Sequence, residues 1–110
     1  MATASNHLIN TLNAAAIEDE LDEIEQTGHD LRVAIGAQSN RSPMQLADAY
    51  GLGYLVDRIR EIVTQIAAAL ESRPDLHSSL VDAAEVERHI IWLCLQVQAG
   101  YVEPDDSPCC

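Results

Sequence analysis

The chain reads as all-α: a small bundle of three main helices, one of them long and central, that forms a homodimer. Three observations predict this. Apolar residues recur at steps of three and four along most of the 110 residues, the period of a helix with one buried stripe. The β-branched residues follow the same spacing, so no credible strand is left. Residues 90–95, Ile-Ile-Trp-Leu-Cys-Leu, are apolar without a break; at about 100° per residue such a run wraps a helix instead of forming one stripe.

Residues 1–10 read as a flexible arm, although Leu8, Ile9 and Leu12 can tack it to the fold or to a partner. A single helical domain is then expected over residues 11–102, followed by a disordered acidic tail over 103–110. In the first helix a heptad-like seam runs through Ala14, Ile17, Leu21, Ile24, Gly28, Leu31 and Ile35. Gly28 lies on the seam. It marks either a close approach of two backbones or a break at Thr27-Gly28, since glycine costs about 1 kcal/mol inside a helix. Gly36 is a fair C-terminal stop, and residues 38–41 carry loop chemistry.

The second helix has the best-marked start: Ser42 as N-cap, Pro43 as first helical residue, and Gln45 placed to complete a capping box. No proline follows until Pro74, so one helix over residues 42–73 is expected. Its stripe is Leu52, Leu55, Val56, Ile59, Ile62, Val63, Ile66, Ala69 and Leu70. Thirty helical residues span about 45 Å, whereas a compact monomer of this size is only about 34 Å across. Either the helix kinks near Gly51 to Gly53, or a second chain covers its excess. Ser78, Ser79 or Asp82 is the expected cap of the third helix, which runs to Ala99 and stops at Gly100. One of its seams is Ala83, Val86, Ile90, Leu93 and Val97; a second apolar face carries Ile91, Trp92 and Leu95, flanked by Arg88.

Eighteen carboxylates face six arginines and no lysine, for a net charge of −12. Such a chain repels phosphate backbones, which argues against direct nucleic-acid or anionic-membrane binding. No apolar stretch approaches the ~20 residues of a membrane span, and the first residues lack a signal-peptide pattern. With three cysteines, Cys94, Cys109 and Cys110, there is no disulfide framework. Cytoplasmic residence is expected.

The acidic block Glu18, Asp19, Glu20, Asp22, Glu23 and Glu25 fills six of eight positions around the seam residues Leu21 and Ile24. The plain reading is a solvated face; the sharper ones are docking onto a basic partner or imitation of nucleic acid. Glu85 and His89 share a helix face at metal-ligand spacing, but two ligands make no site, so no metal and no cofactor are expected. Nothing arranges a base and an orienting acid around Ser78-Ser79 and His77, and no phosphate-cradling loop occurs, so the chain reads as non-enzymatic. Cys94 reads as a small core residue, and Cys109 and Cys110 stand beside acids that oppose thiolate formation.

The apolar face around Trp92 has the strongest claim to function. A three-helix fold can bury one Trp by itself, yet Ile91, Trp92 and Leu95 lie on the side opposite the seam. A Trp among aliphatics is the usual anchor of an interface. The expected interface is therefore Ile91, Trp92 and Leu95, with Leu21, Ile24, Leu31 and Ile35 from the first helix, and the 18–25 block setting orientation. The short acidic chain, the helix from Ser42 to Arg73 and the apolar helix from Asp82 to Ala99 resemble the QslA-type quorum-sensing anti-activators. Those are short helical bacterial proteins that bind LuxR-family activators and prevent their dimerisation. The likeness lies in the whole design and not in a motif, so no family residue is carried over. It implies a protein-binding regulator that sequesters a transcription factor. Two rivals belong to other classes: a phage-type acidic inhibitor of a nuclease or defence complex, and a metal-dependent helical enzyme.

Overall fold

Asn13 opens the first helix by accepting a hydrogen bond from the Ala16 backbone N–H at 3.0 Å, which satisfies one of the donors that a helix start leaves orphaned. A computed structural model describes residues 12–37 and 40–100. The expected N-terminal arm, the acidic tail with Cys109 and Cys110, and Gln38 and Ser39 lie outside the described residues. Helix α1 (Ala14–Gly36) runs unbroken, and Ile17, Leu21, Ile24, Gly28 and Leu31 of the seam are buried. Thr27 returns its hydroxyl to the Glu23 carbonyl at 2.9 Å, so it does not interrupt the helix. Gly28 is instead a point of close approach: a Cβ there would stand 3.0 Å from Ile90 Cδ1.

Helix α2 (Pro43–Tyr50) starts as its spacing predicts. Ser42 Oγ accepts from the Gln45 N–H at 3.2 Å, and Gln45 Oε1 accepts from the Ser42 N–H at 2.8 Å. The long central helix does not form. Gly51 adopts φ 72° and closes α2 after eight residues, and α3 (Leu52–Ala69) begins immediately beyond it. Only glycine takes this left-handed backbone without steric cost. The break turns Leu46 and Ala47 of α2 into the same core as Leu52 and Leu55 of α3. No second chain is needed to cover a thirty-residue helix, because Gly51 divides it and both halves share one core.

A 3₁₀ turn, Pro74–Leu76, leads straight into α4 (His77–Ala99). Ser78, Ser79 and Asp82 lie inside that helix and do not cap it. Pro74 supplies the starting backbone geometry, and fully buried Leu76 anchors the turn. Gly100, at φ 82°, is the stop the sequence predicts.

Cross-helix pairs set the directions. Arg73 donates to the Leu12 carbonyl at 3.0 Å and Arg58 donates to Glu20 at 2.7 Å, so α1 and α3 run antiparallel. Glu18 lies beside Asp82 and Glu25 beside His89, so α1 and α4 run parallel. Helix α4 packs most extensively on α3 and next on α1, and α2 closes one end. The enclosed core is mainly aliphatic, centred on Leu31, Ile59, Ile66, Leu76, Ile90 and Leu93, with Ser79 and Gln96 buried beside it. Among the described residues the fold is thus a helical bundle of four α-helices, one more than expected. Among the described residues no helix is long and apolar enough to cross a membrane.

Candidate protein-docking face

Helix α4 is apolar on two opposite sides. Its inner side, Ala83, Val86, Ile90, Leu93 and Val97, is buried against α1 and α3. Half a turn away lie Val81, Ala84, Glu85, Arg88, Trp92 and Leu95, at helical steps of three and four. On that outer stripe Trp92 is 48% exposed, Leu95 52% and Val81 54%. Ile91 is half-buried at its edge. A large apolar side chain left half in water forgoes on the order of 1 kcal/mol, so Trp92 and Leu95, with Val81 three turns away, make this side of α4 a candidate contact surface.

Val81 is the member that the sequence reading missed. With a cap expected at Ser79 or Asp82, it fell at or before the first turn. Reading Pro74 as the first position of a helical start would have put Val81 one turn inside α4 and on the Trp92 stripe. Arg88 and Glu85 occupy the middle of the stripe. Among the described residues neither Arg88 nor Glu85 takes part in an ion pair or a side-chain hydrogen bond, whereas each of the other arginines interacts with a neighbour.

The expected interface residues of α1 are elsewhere. Leu21, Ile24 and Leu31 are 2%, 4% and 0% exposed and belong to the chain's own core. Ile35 is half-buried against that core. The seam that predicts an intermolecular contact is satisfied within the monomer, because α3 and α4 both pack on it. Leu21, Ile24 and Leu31, expected at an interface, are core positions with no surface left to offer a partner.

The acidic block divides as well. Glu20 receives a forked guanidinium: Arg58 Nη2 donates to Oε1 at 2.7 Å and Nε to Oε2, while Nη1 reaches Glu61 at 2.9 Å. Hydrogen bonding to Arg58 holds the Glu20 carboxyl below its usual range. Glu18 has the opposite environment. Partial burial, then the Asp82 carboxyl beside it, push its pKa up, against a lowering bond from buried Ser79. Glu25 faces His89 Nδ1 at 2.9 Å. Only Asp19, Asp22 and Glu23 are left as exposed carboxylates without such partners. The block is therefore not one uniform docking face: its residues sit at two edges of α1, and half of them serve the contacts to α3 and α4.

His89 turns to Glu25, away from Glu85, so the helix-surface pair is not assembled. Among the described residues no three His, Cys, Asp or Glu side chains gather as a metal site would require. Cys94 is half-buried against the core. A groove of about 170 Å³ between α1 and α3, lined by Leu12, Ala16, Ile17, Arg58, Ile62 and Gln65 among others, is half open and smaller than small-molecule sites usually are. Comparison with protein-family models, with curated proteins and with solved structures finds no match for this chain. Among the described residues the outer stripe of α4 is the candidate docking surface.

Proposed function

We propose that this is a non-enzymatic, protein-binding regulator of the cytoplasm that sequesters a bacterial transcription factor through the outer stripe of α4. The observation that carries the reading is the row Val81, Trp92 and Leu95, each about half exposed on the side of α4 turned away from the core. Trp92 and Leu95 stand at i and i+3 with Val81 three turns before them on the same face, an arrangement on which a partner helix can pack. The resemblance to quorum-sensing anti-activators supplies the target class, a LuxR-type activator whose dimerisation helix would be covered. The excess of carboxylates supports fast approach to a basic, DNA-binding partner, and it disfavours nucleic acid as the ligand.

Acidic mimicry directed at a nuclease is less well supported. It needs carboxylates spread over an exposed face, and Glu18, Glu20 and Glu25 are turned into contacts with other helices. The test is a titration of a purified LuxR-type activator bound to its operator. Excess wild-type chain should release the DNA and convert the activator to a one-to-one complex; Trp92→Asp should do neither. An activator that stays dimeric and DNA-bound in excess chain would refute the proposal.

A further inference from the structure

The outer stripe of α4 has a polarity that matches its own reverse. Read from the N-terminal end it runs apolar Val81, acidic Glu85, basic Arg88, apolar Trp92. Glu85 and Arg88 have no ion-pair or hydrogen-bond partner among the described residues, and the chain has no lysine and five other arginines that do interact. Antiparallel packing of two such helices about a two-fold axis between positions 86 and 87 changes this. Glu85 then meets the second copy's Arg88, and Val81 meets the second copy's Trp92. Two-fold symmetry repeats both contacts. Every polar group of the stripe gains a partner of opposite charge, and each indole gains an aliphatic surface.

We infer that the occupant of this face, in the absence of a target, is a second copy of the chain, docked antiparallel through α4 in this register. The inference rests on reading α4 as a docking face and names what covers it. Its strength follows from size. A helix of 23 residues is about 34 Å long and about 12 Å wide, so each copy contributes roughly 400 Å², below the ~800 Å² of a standard interface. Two copies of net charge −12 also repel each other at long range. The dimer is therefore a micromolar one that exchanges readily. Self-pairing and target capture use the same stripe and exclude each other, so a target that binds must also present apolar anchors on either side of an acid–base pair.

Sedimentation of the full chain across micromolar concentrations tests the register, with Trp92, the only tryptophan, as an emission probe. The wild type should pass from monomer to dimer, and its emission should shift to the blue over the same range. Arg88→Glu should weaken the dimer at least tenfold, and Glu85→Arg combined with Arg88→Glu should restore it, since reversal of both charges keeps each cross-copy pair. Circular dichroism should show unchanged helix content in all three. A wild type that stays monomeric throughout, an Arg88→Glu variant that dimerises normally, or a double variant that does not recover would each overturn the inference. If target capture by the wild type persists in those cases and is lost in Trp92→Asp, the docking face stands and only its self-pairing fails.

Discussion

The inner and outer sides of α4 both carry large apolar side chains, and these have opposite fates. Leu93 is 1% exposed and Leu95 is 52% exposed, although they are two residues apart. Leu93 faces α1 at Gly28, with Cδ2 3.8 Å from the position of a Cβ there. Leu95 points where no helix of the described residues covers it. Hydrophobicity alone does not decide which residues support the fold; the position of the neighbouring helices does. The inner side should therefore govern stability and the outer side association, and substitutions on each can separate the two.

The largest effect is expected inside. Leu93→Ala should lower unfolding free energy by about 2–5 kcal/mol, as filled aliphatic cores do when a side chain is deleted, measured by urea denaturation. Gly28→Val comes next. Its methyls would enter the space of Ile90, whose Cδ1 already lies 3.0 Å from the nearest Cβ position, and the cost should be about 1–3 kcal/mol. Ile90→Ala in that background should then cost much less than it does alone, because the cavity and the added methyls offset each other.

The edges of α4 and α1 sharpen the contrast through pH. Glu18 titrates higher folded than unfolded, so its stabilising contribution is present at acid pH and is lost as pH rises through its folded pKa. Glu18→Gln should thus raise stability at pH 7 by a few tenths of a kcal/mol, the usual size of a like-charge repulsion, and the gain should vanish in melts near pH 4. Glu20 titrates lower when folded, so its contribution is present at neutral pH and lost as pH falls through that depressed value. Glu20→Gln should therefore cost about 1 kcal/mol at pH 7, with the deficit shrinking in acid. If both variants respond to pH with the same sign, the two edges of α1 do not differ in the way their partners indicate. The smallest effect on stability is expected on the outer side: Trp92→Asp should shift unfolding by no more than about 0.5 kcal/mol while it abolishes association.

Several features were legible from neighbours in sequence. The α1 seam, the Ser42–Gln45 capping box, the inner seam of α4 and the Gly100 stop all rest on spacings of three or four residues, which helix geometry converts directly into a shared face or a closed turn. Elements whose start depends on a turn were less legible. Pro74–Leu76 feeds α4 earlier than its polar residues predict, and Val81 was lost from the candidate face as a result.

Helical periodicity by itself determined that this chain is a bundle and which residue of each turn is apolar, because those properties are set by a repeat of 3.6 residues. Tertiary structure alone decided the rest. It broke the chain at Gly51 and left Gly53 helical, it made Gly28 a contact instead of a hinge, and it turned Glu18, Glu20 and Glu25 toward partners 38 and more positions away. It also chose which apolar face of α4 stays in water. The physical reason is common to all of these: each depends on where a distant helix packs, and a helix that is apolar on two sides is compatible with either side being buried until its neighbours take their places.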